Sequence, residues 1–330
     1  MSYSAIIPVA GTGTRLKPHT YTYPKVLLTV GDKPILGHIV DKLIESDIKN
    51  ICFVIGYLGE KVKEYIFKNY SNKINPEYVF QEEQKGLGHA IWLAQDLIKG
   101  PILIILGDTI IETDIKKFLD LKTAKIGINE VKDPQRFGIV KIRNGKIVDM
   151  IEKPKNPPTN LAISGVYSFP DSKDLFEALN WIVKNGKTTK GEIQLTDAMR
   201  YMIEKKYKIE PVKISGWYDC GKPDTLLATN RYILTKKYKK YKLKHSIIIN
   251  PVYISPFAKI KNSIIGPYVS IGDRVEIENS IISDSIINED AYIKNSNLSS
   301  SLIGPSAVVI GKKYSLNVGE NSEVKLSEEE

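Results

Sequence analysis

Closely spaced glycines follow the first apolar run of the chain: residues 5–9 lead straight into Ala10-Gly11-Thr12-Gly13-Thr14-Arg15-Leu16. Without a Cβ, glycine lets backbone N–H groups approach an anion, and a turn out of a strand is where phosphates are commonly cradled. The same spacing also suits a tight turn made only for packing. Two familiar phosphate fingerprints are excluded. A dinucleotide-binding turn needs a third glycine where Leu16 stands, and Gly186-Lys187-Thr188, which ends like a P-loop, has Trp181 in place of the first glycine. A second chemical feature is Ile102-Leu103-Ile104-Ile105-Leu106-Gly107-Asp108, a buried-strand pattern ending in a carboxylate. No Ser-His-Asp or Cys-His signature accompanies these features.

The elements that must hold these residues alternate. Up to about residue 235, short apolar runs alternate with helix-like stretches, the pattern of an α/β, Rossmann-like domain with a mostly parallel, mixed sheet covered by helices. Strands are expected at 5–9, 51–55, 78–80 and 102–106, and helices at 35–46, 60–69 and 88–98. Ligands of such a sheet bind beyond the carboxyl ends of its strands.

The last third has another rhythm. Ile254-Ser-Pro-Phe-Ala258-Lys-Ile260 is echoed from Ile265, Ile271, Ile287 and Ile303, with an aliphatic residue every six positions and a small or short residue four after it. This hexapeptide repeat predicts a left-handed parallel β-helix over about 246–312, each unit forming one face of a triangular coil. The expected division is therefore a catalytic domain at 1–240 and a β-helix domain at 241–330, with a polar, acidic tail at 325–330. Acyltransferase β-helices rely on a histidine base, and His245 lies outside the clear repeats. A structural role with self-association into a homo-oligomer is expected instead.

The 330 residues, 42% of them hydrophobic, suit two domains. No apolar run reaches the roughly 18 residues of a membrane span, and the start lacks signal-peptide features, so a cytoplasmic chain without membrane contact is expected. Cys52 and Cys220 are too few for a disulfide framework, which fits a reducing compartment. The formal charge of +9 suits nucleic acid, a membrane surface or phosphate-bearing small molecules alike. The densest basic run, Lys236 to Lys244 with Tyr238 and Tyr241, is read as a solvated helix end or linker, and no nucleic-acid partner is expected.

The continuation of the glycine loop narrows the function. Gly11 to Thr20, followed by Pro24-Lys25-Val26-Leu27-Leu28 and Lys33-Pro34-Ile35-Leu36, resembles the signature of the nucleotidylyltransferases that make nucleotide-sugars, especially the long form of glucose-1-phosphate thymidylyltransferase. The resemblance extends from Ile6 through Asn230 and again across the β-helix. It implies that a pyrimidine nucleoside triphosphate and a sugar 1-phosphate react with release of pyrophosphate, assisted by Mg2+. Ala10, Gly11, Gly13 and Thr14 would cradle the triphosphate, with Arg15 and Lys25 as the fixed cations a cradled polyanion needs. Gln81 and Gly86, in a segment continuing Leu87-Gly88-His89-Ala90, would read the base.

Two carboxylates, Asp108 and Asp219 of Trp217-Tyr218-Asp219-Cys220-Gly221-Lys222-Pro223, would hold the metal by the same resemblance. On the sugar side it implies Phe137, Gly138, Glu152, Lys153, Asn160, Ile163 and Lys190, with Lys153 on the attacking phosphate. Lys190 stands where arginine is common and Thr29 where proline is usual. Ala10 replaces a glycine frequent in thymidylyltransferases, a change also seen in uridylyltransferases. The resemblance therefore favours dTDP-glucose from dTTP and glucose 1-phosphate, with UTP, giving UDP-glucose or UDP-N-acetylglucosamine, as the alternative and an N-acetylated or epimeric sugar phosphate also open. Some regulatory and translation-factor subunits share the two-domain plan as scaffolds; Arg15, Lys25, Asp108 and Asp219, all present here, argue for chemistry.

Overall fold

The computed structural model describes residues 2–236, 239–312, 318–320 and 322. Contacts divide the chain into two compact units, Met1–Ile233 and Leu234–Glu330. The expected acidic tail at 325–330, and Lys237 and Tyr238 of the basic run, lie outside the described residues. Lys239, Lys240, Lys242 and Lys244 are exposed, while Tyr241 is half-buried and its hydroxyl accepts from Ile254 N at 3.1 Å.

Elements of the first unit are, in chain order, β1 (Ser4–Pro8), β2 (Thr29–Val30), β3 (Lys33–Pro34), α1 (Ile35–Glu45), β4 (Asn50–Ile55), α2 (Gly59–Tyr70), β5 (Asn75–Phe80) and α3 (Leu87–Trp92). They continue with β6 (Ile102–Ile105), β7 (Thr109–Glu112), β8 (Ala124–Glu130), β9 (Gly138–Arg143), β10 (Lys146–Glu152) and β11 (Leu161–Phe169). Then come α4 (Ser172–Lys184), α5 (Leu195–Glu204), β12 (Ile209–Lys213), β13 (Gly216–Asp219) and α6 (Pro223–Lys236), whose residues after Ile233 fall to the second unit. The main sheet runs β10-β9-β11-β6-β1-β4-β5, with β8 joined to β11 and β12 to β8. β6, β1, β4 and β5 are parallel neighbours, and β11 enters antiparallel to β6, so the sheet is mixed as expected.

β1 and β6 are central, which is why Ala5, Ile6, Ile7 and the whole Ile102–Ile105 run are apolar and buried on both faces. Helix α1 sends Ile35, Leu36, Ile39, Val40 and Leu43 down one stripe into the core. The carboxyl ends of β1 and β6 therefore release Ala10 and Asp108 at the same edge of the sheet. The helix expected at 88–98 ends at Trp92. Beyond it Ala94, Gln95 and Leu97 donate three residues back, to Ile91, Trp92 and Ala94, which tightens the chain into turns.

The second unit is the β-helix that the hexapeptides predict. Three four-stranded parallel sheets stack Ile248, Ile265, Ile282 and Leu298 on one inner face, Ile254, Ile271, Ile287 and Ile303 on the second, and Ile260, Ile277, Ile293 and Val309 on the third. The short residues four positions into the repeats, Val275 and Ala291, are fully buried at the coil corners. Corner side chains knit the coils: Ser280 N donates to Ser263 Oγ and Ser296 N to Ser280 Oγ, each at 3.1 Å.

Candidate active site

Gly13 ends the loop after β1 with φ +64, a left-handed conformation that favours glycine, and Thr20 Oγ1 ties its carbonyl at 2.9 Å. A Cβ there would meet Lys25 Cβ and Thr20 Cγ2 at 3.0 Å, whereas Gly11 faces open space. Ala10 fits because its neighbour is bare: a Cβ on Gly56 would lie 2.9 Å from Ala10 Cβ.

Beside this loop is a cavity of about 390 Å³ lined by Ala10, Gly11, Gly13, Thr14, Arg15, Lys25, Gln81, Gly86 and Asp108. Every expected nucleotide residue, from Ala10 to Gly86, lines this one cavity. Gly86, at φ +105, is needed for a reason beyond room for a base: a Cβ would sit 2.6 Å from Ile193 O. The loop is pinned there by Ile193 N donating to Lys85 O at 2.7 Å and Gly88 N to Ile193 O at 2.8 Å.

A second cavity, of about 410 Å³, is lined by Phe137, Gly138, Glu152, Lys153, Ile163 and Asp219, and again by Arg15 and Asp108. Glu152 Oε2 accepts from Thr196 Oγ1 at 2.7 Å and its Oε1 is 3.3 Å from Lys153 Nζ. Gly138 makes that arrangement possible, since a Cβ would fall 2.9 Å from Glu152 Oε2. Asn160 and Lys190 line neither cavity. Asn160 is exposed with its carbonyl accepting from Val131 N at 3.0 Å, and exposed Lys190 donates Nζ to Lys153 O at 2.8 Å.

Several residues of this cavity carried no role in the sequence reading: Arg136, Ser164, Thr196 and Trp217. Trp217 Nε1 and Ser164 Oγ are buried without a hydrogen-bond partner among the described residues, which suits a polar ligand. Phe137 packs edge-on against Trp217, with ring centroids 4.7 Å apart.

The cavities meet at Asp108. Its Oδ2 lies 2.6 Å from Nζ of Lys25, a residue only 7% exposed. Desolvation pushes the Asp108 carboxyl up, but the Lys25 charge and hydrogen bonds from Lys25 and Thr109 outweigh it and hold its pKa below the ordinary carboxylate value. Asp219 is brought alongside by antiparallel pairing of β13 with β7: Asp219 lies opposite Thr109, and Cys220 N donates to Asp108 O at 3.1 Å. A Cβ on Gly221 would lie 2.7 Å from Asp219 Oδ1 and 2.9 Å from Arg15 Nη2, so that glycine lets the carboxylate and guanidinium converge. Burial pushes the neighbouring Cys220 thiol up to about 12, which leaves it inert beside this acidic pair.

No group of three or more His, Cys, Asp or Glu side chains suited to a metal occurs among the described residues. The donor set still fits a hard divalent cation. Two oxygen-only carboxylates face the cavities, Asp108 already holds the ammonium of Lys25, and remaining coordination would fall to phosphate oxygens and water.

At one edge of the mixed sheet, then, a glycine-loop cavity and a second, carboxylate-bearing cavity lie side by side, an arrangement suited to a nucleotidyltransferase. Residues 4–236 match the profile of the nucleotidyl transferase family, and the chain belongs to that family. It is 38% identical over 249 residues to the bifunctional protein GlmU of Methanocaldococcus jannaschii, a match covering 74% of this chain and 58% of that protein. The chain thus spans little more than half the length of those relatives. Agl11 of Haloferax volcanii, a low-salt glycan biosynthesis nucleotidyltransferase, is 32% identical over 96% of this chain and 98% of its own. Among solved structures, UDP-glucose pyrophosphorylase complexed with UDP-glucose superposes with a TM-score of 0.63 at 29% identity, over 72% of this chain and 100% of that one. A Bacillus anthracis protein described as a glucose-1-phosphate thymidylyltransferase gives the same TM-score of 0.63 at 30% identity, over 72% and 98%.

Proposed function

We propose that the protein joins glucose 1-phosphate to dTTP, giving dTDP-glucose and pyrophosphate, with UTP as the alternative nucleotide. One observation carries this reading: the glycine-loop cavity and the Glu152–Lys153 cavity share Arg15 and Asp108, so two polyanions bound side by side meet at a charged junction.

The nucleophile is an oxygen of the sugar phosphate, anionic at neutral pH, so no general base is required. It attacks the α-phosphorus in line as pyrophosphate leaves, and alignment with charge neutralisation supplies the rate enhancement. Ala10, Gly11, Gly13 and Thr14 hold the triphosphate, Arg15 steadies the departing pyrophosphate and Lys25 bears on the α-phosphate. Lys153 orients the attacking phosphate, with Lys190 bracing it through the Lys153 carbonyl at 2.8 Å. Glu152, fixed by Thr196 at 2.7 Å, accepts from sugar hydroxyls, while Phe137, Gly138 and Ile163 shape the pocket. Asp108 and Asp219 would hold Mg2+, which when bound withdraws charge from the phosphates.

Support for UTP comes from relatives whose names specify it, such as the UTP–glucose-1-phosphate uridylyltransferase AglF of Haloferax volcanii, 32% identical over 67% of this chain. Thymine and uracil differ by one methyl, a difference worth about 1–3 kcal/mol in a hydrophobic pocket. With equimolar dTTP and UTP competing for glucose 1-phosphate, dTDP-glucose is expected to predominate. Predominant UDP-glucose would select the alternative, and absence of both would reject the reading.

A further inference from the structure

The first cavity, beside the glycine loop, holds a glutamine whose amide nitrogen makes two contacts within the protein. Gln81 is 6% exposed and lines that cavity. Its Nε2 lies 3.3 Å from Gly86 O and 3.1 Å from His89 Nδ1. A backbone carbonyl only accepts, so the nitrogen of the amide, not its oxygen, must face Gly86. The second N–H then points at Nδ1, which receives it only while that nitrogen keeps its lone pair. Both donors of Gln81 are consumed inside the protein, and Oε1 has no protein partner among the described residues.

His89 sits in surroundings that favour its neutral form, in which Nδ1 can accept from Gln81. Burial first, and the Lys85 ammonium second, hold its pKa below the usual imidazole value, against a smaller opposing pull from Glu83. Its ring stacks on Trp92 with centroids 5.7 Å apart and planes 25° from parallel, which fixes its orientation.

We propose that His89 is a positioning residue that locks the Gln81 amide with its carbonyl toward the base. The site then accepts the imide N3–H of uracil or thymine and rejects cytosine, whose N3 is a lone pair. The proposal rests on the first cavity being the base site, and it assigns no role to His89 in separating uracil from thymine, since both carry N3–H. Protonating His89 would put a donor against Gln81 Nε2, turn the amide over and present N–H groups to the base.

The test measures kcat/KM for UTP and CTP with glucose 1-phosphate in the parent, in His89→Phe and in His89→Asn, whose Oδ1 can replace Nδ1 as acceptor. His89→Phe is expected to reduce the preference for UTP over CTP by about tenfold or more, through KM for UTP with kcat little changed. His89→Asn should keep the preference within about threefold. An unchanged preference in His89→Phe, or equal loss of kcat on both nucleotides in both variants, overturns the proposal. Should His89→Phe fail to fold, the parent alone decides: the preference must fall as pH is lowered through the imidazole pKa, which burial holds below 6.5, and a preference that stays constant once His89 is protonated overturns it. A parent that turns over UTP without preference over CTP overturns this inference alone; a parent inactive on every pyrimidine triphosphate overturns the reading of the cavity together with it.

Discussion

Asp108→Asn is expected to lower kcat by about a thousandfold or more, because losing a carboxylate that would hold the charge-neutralising Mg2+ removes roughly 4 kcal/mol of transition-state stabilisation. The substitution preserves shape but removes the charge 2.6 Å from Lys25. Lys25 would be left nearly buried against a neutral amide, at a cost of about 1–3 kcal/mol in stability. A thermal melt therefore accompanies the pyrophosphate-release assay, to show that the lost rate exceeds any lost fold. Asp219→Asn is the companion: it touches the same junction without touching Lys25, so a comparable loss there, with the Mg2+ requirement shifted to higher concentration, ties the effect to the carboxylate pair. A folded Asp108→Asn protein working at near-parental rate would sink that assignment.

The second large effect is expected at Arg15. Its side chain lines both cavities and its Nη2 converges with Asp219 on Gly221, yet the residue is exposed and contributes little to the core. Arg15→Ala should therefore fold normally and still lose about a hundred- to a thousandfold in kcat, the range seen when a guanidinium or oxyanion donor is withdrawn from a developing anion. Arg15→Lys should recover only part, since an ammonium lacks the planar fork that grips two phosphate oxygens. Single-turnover rates measure this, and an Arg15→Ala rate within threefold of the parent would remove Arg15 from the chemistry.

Features carried by local pattern were legible in the sequence. The glycine loop after β1, the apolar strand ending at Asp108 and the six-residue rhythm from Ile254 onward each repeat a local geometry, and each occupies the expected place. Less legible were features made by distant segments. The Lys25–Asp108 pair spans 83 positions and the Thr196–Glu152 bond 44, and neither leaves a periodic trace. The pairing of β13 with β7, which sets Asp219 beside Asp108, joins two four-residue strands too short to show alternation. Gly138 and Gly221 are glycines because of what crowds them in space, not because of a turn at their own positions. His89 lies within the stretch from Gly86 to Ala90, but its partnership with Gln81 follows only from the fold of the loop around Gly86.

The most direct test of the account is pyrophosphate release by the purified protein on mixing Mg2+, a pyrimidine nucleoside triphosphate and glucose 1-phosphate. Release is expected to require all three and to match the nucleotide-sugar formed one for one. Pyrophosphate released at the same rate without sugar phosphate, or none released with either dTTP or UTP, would contradict it.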